Sequence, residues 1–161
     1  MQFLYFSSLV ILDVLLTNYA KGARCERELI KILESNGYHV MRAAGSGVSS
    51  SSPPDIIAIK DGKGVIFECK AWEKSSLAFE KDKINMLTEW ERNTQMQLFF
   101  AWRMNGKGWY FVKQQELRET EMSFVVTKRR AMEINRNIHQ ILSLTNNPQT
   151  VAPVLLPSTI I

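Results

Sequence analysis

The chain has 161 residues, of which 45% are hydrophobic and 22% are charged, the proportions of an ordinary globular protein. This length supports the core of one domain and argues against several domains. The formal net charge of +4 and the sequence pI of about 9.1 are compatible with a nucleic-acid partner but do not require one.

The first segment, residues 1–20, is an apolar extension in which Asp13 is the only charge. It is too short and too interrupted for a membrane span, and it lacks the basic start of a signal peptide. We therefore expect no membrane association. Three alternatives stay open: the extension packs on the domain, docks to a protein partner, or precedes the true start of the protein.

Residues 21–36 have the pattern of a helix, because apolar residues recur at helical spacing and Asn36-Gly37 is a typical stop. Glu26 borders the apolar stripe. It could project from the helix as a metal ligand. The residues alone favour the other interpretation, a solvated side chain in a charge ladder with Arg24 and Glu28.

A short strand is predicted at residues 38–44, and a loop rich in Gly and Ser follows up to residue 54. Small residues let a phosphate approach the backbone closely, so this loop is a candidate DNA contact. A plain surface linker is the alternative. The position of the loop directly before Asp55 favours the DNA contact.

A hairpin over residues 55–70 is predicted to bring two carboxylates and a lysine together. Two runs rich in β-branched residues, 56–59 and 65–67, flank a glycine-containing turn at 61–64. Asp55 precedes the first strand and Glu68 follows the second run, so antiparallel pairing places them side by side. Because side chains alternate along a strand, Glu68 and Lys70 share one face.

These three side chains suit phosphodiester hydrolysis. Two acidic oxygens can bind Mg²⁺, which polarises a phosphoryl oxygen and lowers the pKa of a bound water. A nearby lysine can position that water or stabilise the developing charge. A solvent-facing hairpin with an ordinary Glu/Lys pair is the alternative, and the Pro-Asp pair before an apolar strand is what favours the functional interpretation.

The remaining elements follow in chain order. They are a polar, lysine-rich connection over residues 71–83, a helix over 84–92, a hairpin of strands 97–104 and 109–112, and a final helix from residue 128 to about 142. This order predicts a mixed sheet flanked by helices. We place domain boundaries at 1–20, 21–142 and 143–161, the last being a proline-containing tail that could also dock to a partner.

The two cysteines, Cys25 and Cys69, form no Cys-x-x-Cys pair. This favours buried thiols in a reducing compartment over a disulfide or a zinc site. A cytoplasmic location follows from it.

Four separated blocks closely resemble the archaeal Holliday junction resolvases of the Hjc type. The blocks are KGARCEREL at 21–29, RAAGSG at 42–47, PDI at 54–56 and FECK at 67–70. Their order and rough spacing match the family, and the resemblance runs from about residue 21 to about residue 127. The departures are Cys69 in place of the more usual valine and a long, serine-rich loop at 48–53.

The resemblance implies a restriction-endonuclease-like α/β/α fold, a homodimer, a requirement for Mg²⁺ or Mn²⁺, and symmetric cutting of four-way DNA junctions. The catalytic residues that it implies are Glu26, Asp55, Glu68, Lys70 and Ser46, of which the first three bind metal. Arg27 and Arg42 match basic residues of the family that contact the DNA backbone, and Ser46 is expected to contact DNA as well.

Further basic side chains could contact DNA phosphates without reading bases. They are Lys21, Arg24, Lys74, Lys81 and Lys83. We therefore expect a structure-selective endonuclease whose two-fold symmetry matches that of a four-way junction. Two alternatives stay open: another nuclease of this fold that cuts duplex or flapped DNA, and a non-catalytic architectural protein that binds junctions.

Overall fold

The computed structural model describes residues 20–43 and 53–145. Predictions about segments 1–19, 44–52 and 146–161, among them the roles of Ser46 and of the apolar ends, lie outside the described residues. Helix α1 covers residues 20–35. The elements that follow are β1 (His39–Arg42), β2 (Ile56–Lys60), β3 (Lys63–Ala71), β4 (Ser76–Glu80), α2 (Lys81–Thr94), β5 (Gln97–Met104), β6 (Gly108–Val112), a 3-10 turn (Gln114–Glu116), β7 (Arg118–Glu119), β8 (Ser123–Thr127), α3 (Lys128–Ile134) and α4 (Ile138–Thr145).

The main sheet has five strands in the order β1-β2-β3-β5-β6. Strands β3 and β5 pair in parallel, whereas the β1/β2, β2/β3 and β5/β6 pairs are antiparallel. Because parallel neighbours cannot be joined by a tight turn, the chain between β3 and β5 crosses one face of the sheet and contains β4 and α2. The mixed sheet predicted from the sequence is confirmed.

Both faces of this sheet are buried. One face, with Phe67 and Phe99, packs against α1 and α4. The other face, with Phe100 and Trp102, packs against α2 and a smaller sheet. Burial on both faces explains why β3 and β5 are nearly continuous apolar runs instead of alternating ones. The helices on the two faces give the predicted α/β/α arrangement.

The smaller sheet was not predicted. It has three strands in the order β4-β8-β7, and β4 lies inside the segment that the sequence analysis treated as a polar connection, so that prediction was wrong. Leu77 and Phe79 of β4 point into the core while Ala78 and Glu80 are exposed, a period of two that indicates a strand. The lysines around this short run hid the pattern.

The single final helix was also predicted wrongly, because the chain forms two helices there. Asn135 ends α3 in the left-handed conformation, with φ of 46°, and its N–H donates to the carbonyl of Ala131. Asparagine tolerates this conformation better than most residues. Helix α4 then continues to Thr145, past the predicted boundary at 142. None of the described helices is long and apolar enough to cross a membrane.

Candidate active site

The β2–β3 hairpin places Asp55 beside Glu68. Asp61 and Gly62, both with positive φ, form a turn shorter than the predicted one, and β3 begins at Lys63. Ile56 pairs with Phe67, so the preceding Asp55 lies next to Glu68. The backbone N–H of Cys69 donates to Oδ2 of Asp55 at 2.7 Å. The register therefore brings the two carboxylates together, as the sequence predicted.

Glu68 is the one charged residue that is buried in the described part of the chain, with 2% of its surface exposed. Two ammonium groups compensate its charge: Nζ of Lys70 lies 2.9 Å from Oε1, and Nζ of Lys83 lies 3.1 Å from Oε2. The Lys83 contact is an ion pair without hydrogen-bond geometry, so Oε2 has no hydrogen-bond partner among the described residues. Lys83 also donates to the carbonyl of Pro53 at 3.3 Å.

The surroundings of Asp55 and Lys70 shift the pKa values of both side chains. Burial and the adjacent negative charge of Glu68 raise the pKa of Asp55 from 3.8 to about 6. For Lys70, burial alone would lower the pKa, but the attraction of Glu68 outweighs it and the pKa is raised. The negative charge of Glu68 therefore stabilises the charged form of Lys70.

Glu26 on α1 is directed at the same region. Its Oε2 accepts a 2.6 Å hydrogen bond from Nε of Arg42 on β1, and its side chain is 17% exposed. The negative charge of Glu26 contributes to the raised pKa of Asp55. Glu28 does not join a ladder with it, because Glu28 accepts from Arg103 and Trp109. Across residues 20–43 and 53–145, no three His, Cys, Asp or Glu side chains are grouped closely enough to hold a metal ion.

The two cysteines lie near Asp55, whose charge adds to the effect of burial and contributes to the raised pKa of both thiols. Both are free and buried, and burial raises the pKa of Cys25 to about 12 and that of Cys69 well above its usual value. They are therefore protonated thiols of the core, as expected from their spacing.

The predicted DNA-binding residues are spread over several surfaces. Lys21 and Arg24 line an open groove of about 440 Å³ beside α1, with Ala71 and Arg103 on its other wall. Arg27 is an exposed residue of the same helix, and Arg42 borders the carboxylates through its bond to Glu26.

Two further predicted DNA contacts lie elsewhere. Nζ of Lys74 lies 4.8 Å from the ring centre of Trp72, just after β3. Lys81, at the start of α2, pairs with Glu119 at 2.7 Å. Ser46 falls in the undescribed loop.

The position of Lys83 in the site is not predicted from the sequence. A helix that begins at residue 84 leaves Lys83 in the preceding connection, among the other basic residues. With α2 beginning at Lys81, Lys83 borders the buried positions Ile84 and Leu87, and a lysine at the edge of a buried stripe is the signal that could have found it.

A carboxylate pair and a lysine at the end of one hairpin, on a mixed sheet flanked by helices, define a nuclease of the restriction-endonuclease-like class. The family described as archaeal Holliday junction resolvase (Hjc) matches residues 17–146. The chain therefore belongs to the archaeal Holliday junction resolvase family, which confirms the resemblance noted from the four sequence blocks.

Individual relatives agree with this assignment. The crossover junction endodeoxyribonuclease Hjc of Archaeoglobus fulgidus is 32% identical over 107 residues, which are 66% of this chain and 79% of the relative. The Hjc of Methanocaldococcus jannaschii is 37% identical over 90 residues, 55% of this chain and 63% of the relative. The crystal structure of Archaeoglobus fulgidus Hjc, a Holliday junction resolvase, is 28% identical and covers 70% of this chain and 93% of its own, with a TM-score of 0.65.

Proposed function

We propose that this chain resolves four-way DNA junctions as a homodimer, by metal-dependent nicking of opposing strands at symmetric points. The observation that carries the proposal is the buried Glu68, placed beside Asp55 by strand pairing and bonded to Lys70. A core strand that contains an ionised residue is unfavourable for stability unless the charge is compensated. A catalytic role explains why the hairpin contains it.

Mg²⁺, for which Mn²⁺ can substitute, fits these residues. Two adjacent carboxylates repel each other, which contributes to the raised pKa of Asp55, and Oε2 of Glu68 is buried without a hydrogen-bond partner. A divalent cation held by Asp55 and Glu68 would relieve both conditions, and Glu26, which the described structure does not group with them as a third ligand, would orient its water ligands. When bound, the metal polarises a phosphoryl oxygen and lowers the pKa of the attacking water.

Lys70 contributes a fixed positive charge next to the carboxylates. Its ammonium donates to Oε1 of Glu68 at 2.9 Å, and 43% of its side chain stays exposed. Lys70 can therefore orient the attacking water or stabilise charge on the phosphate while it stays bonded to Glu68. The water displaces the 3′ oxygen and leaves a 5′ phosphate.

Junction recognition would depend on phosphate contacts and on shape. The basic residues that we assign to it are Lys21, Arg24, Arg27, Arg42, Lys74 and Lys81, and Ser46 would contribute its hydroxyl. Contacts of this kind bind any sequence. Two identical sites related by a two-fold axis would match the symmetry of a four-way junction, so paired nicks follow from the geometry of a homodimer.

The test compares an immobile four-way junction with a linear duplex built from the same arms, in Mg²⁺ and in EDTA. We expect symmetric nicks in the junction alone, only with Mg²⁺, from a species with the mass of a dimer. Asp55→Asn and Glu68→Gln should each lose cutting by about a hundredfold or more while still binding the junction. As a control, Arg92→Met, which removes a cation exposed on α2, should cut normally.

Other outcomes would change the assignment. Equal cutting of duplex and junction would make the chain a general nuclease of this fold. Tight junction binding without cutting would make it an architectural protein. Full activity of either carboxylate variant would overturn the proposed site.

A further inference from the structure

A second lysine reaches the buried carboxylate from outside the hairpin. Lys83 lies in the first turn of α2, and its Nζ is 3.1 Å from Oε2 of Glu68. Lys70 lies on the opposite side, at Oε1. The two oxygens of Glu68 therefore face two different cations, and the proposed reaction uses only Lys70.

The two lysines differ in burial and in bonding. The side chain of Lys83 is 21% exposed and that of Lys70 is 43% exposed. Lys70 makes a true hydrogen bond to Glu68. Lys83 donates a hydrogen bond to the carbonyl of Pro53. Its contact with Oε2 is an ion pair without hydrogen-bond geometry, so toward this oxygen it acts as a nearby charge.

The position of Lys83 also joins the two segments that supply the carboxylates. Pro53 precedes Asp55 by two residues, and Glu68 lies on the paired strand. One ammonium group between them holds the segment before Asp55 near β3 and offsets the repulsion between the two carboxylates. Charge compensation of this kind matters most for groups that are removed from water.

We propose that Lys83 is a built-in counter-ion that keeps the metal-free site assembled and weakens its affinity for divalent cations. This inference rests on the proposed metal-dependent function. A divalent cation at Asp55 and Glu68 would meet the positive charge of Lys83 next to Oε2, and like charges repel strongly where water is scarce. Lys83 is thus a positioning residue that sets how tightly the empty site takes up metal before DNA arrives.

The test measures binding of Mn²⁺ to the full chain without DNA, by the loss of the free-ion signal in electron paramagnetic resonance. Lys83→Met removes the charge, and Lys83→Gln removes it while keeping an N–H for the Pro53 carbonyl. We expect both variants to bind Mn²⁺ more tightly, on the order of tenfold. Lys83→Arg keeps the charge and should stay within about twofold of the unmodified chain. Arg92→Met, a charge change on the same helix, should have no effect.

A second measurement distinguishes a change in metal affinity from a folding defect in Lys83→Met. Thermal unfolding in EDTA should show a lower Tm for Lys83→Met than for the unmodified chain, because Glu68 loses a partner. In a second series without EDTA, both proteins receive the same concentration of Mn²⁺. The Tm of Lys83→Met should then rise by more than the Tm of the unmodified chain, since a tighter ligand stabilises more.

The outcomes separate this inference from the proposed function. Mn²⁺ binding that Glu68→Gln abolishes, but that is equal or weaker in both Lys83→Met and Lys83→Gln, would overturn the role of Lys83 alone. Tighter binding in Lys83→Met but not in Lys83→Gln would also overturn it, because charge would not be the cause. Absence of Mn²⁺ binding in the unmodified chain and in both charge-removing variants would overturn both the inference and the metal-dependent function.

Discussion

Asp55 ionises less readily in the folded chain than in the unfolded chain. Burial, together with the charge of Glu68, raises its pKa from 3.8 to about 6. The folded state therefore binds the proton of Asp55 more tightly than the unfolded state does. As the pH rises from about 4 to about 6, stability falls, and the loss is complete above the folded pKa. The ionised carboxylate of Asp55 thus lowers the stability of the metal-free chain near neutral pH.

This pKa shift predicts a pH-dependent effect of Asp55→Asn in the metal-free chain. The amide removes the charge but keeps an oxygen that accepts from the N–H of Cys69. We expect the variant to be more stable than the unmodified chain by roughly 1–3 kcal/mol at pH 7.5. Below about pH 4, where Asp55 is protonated in both states, the gain should disappear.

Urea unfolding in EDTA at pH 7.5 and at pH 3.5 measures this difference. A gain of the same size at both pH values would mean that packing, and not the ionisation of Asp55, is responsible.

At the scale of elements, the break between α3 and α4 is held by one ion pair. Arg136, in the short connection between the helices, donates to both oxygens of Glu116 at 2.7 Å and to the carbonyl of Phe111 at 3.1 Å. Its guanidinium also lies 5.8 Å from the ring centre of Phe99. Both charged side chains are about four-fifths buried. The pair anchors the connection before α4, whose start is capped by reciprocal hydrogen bonds between Asn137 and Gln140. Helix α4 covers the face of the sheet that contains Phe67.

Breaking this pair should weaken the fold in a pH-dependent way. Burial would raise the pKa of Glu116, but the bonds from Arg136 and from the N–H of Lys113 outweigh it and lower the pKa. The stabilisation is therefore full above about pH 4.5 and is lost as the pH falls through the lower, folded pKa. Arg136→Met should reduce the free energy of unfolding by roughly 1–3 kcal/mol at pH 7.

Urea unfolding of Arg136→Met, Glu116→Gln and the double variant forms a cycle that isolates the pair. The coupling between the two positions should shrink at pH 3. Additive effects at pH 7 would show that the two side chains act independently.

At the scale of the whole molecule, the excess of positive charge should attract the phosphates of DNA. The net charge of +4 is modest, and the cations near the site are partly neutralised, as Arg42 is by Glu26. Arg24 and Arg27 are exposed on α1, and Arg24 lines the groove beside it. Junction binding should therefore depend on salt through a limited number of phosphate contacts.

Removing one such contact should lower the salt dependence by a defined amount. Arg24→Met and Arg27→Met should each reduce the slope of log affinity against log salt by about one, and weaken binding equally for junctions of different sequence. Fluorescence anisotropy of labelled junctions from 50 to about 200 mM salt measures the slope. Lys107→Met, which removes an exposed cation at the β5–β6 turn, is the control. An unchanged slope in both arginine variants would exclude α1 from the DNA surface.

Sequence reasoning succeeded for elements defined by neighbouring residues. Strand β5 has the predicted bounds, because its long apolar run is visible in the sequence without knowledge of the strands that pair with it. Strand β4 escaped prediction because its pairing partner, β8, lies far along the chain and Lys74, Lys81 and Lys83 surround it. The break after α3 escaped as well, although local residues mark it: Asn135 ends α3, and Asn137 and Gln140 cap the start of α4.

The contacts of the candidate active site differ in the same way in how far the sequence predicts them. The sequence by itself determined that Asp55, Glu68 and Lys70 meet, because a short hairpin has one register and side chains alternate along its strands. Only the tertiary structure decided that Arg42 bonds Glu26 and that Lys83 faces Oε2 of Glu68. Those contacts join separate elements of the chain. They depend on how α1 and α2 pack against the sheet, and packing of distant elements leaves no spacing in the sequence from which it can be read.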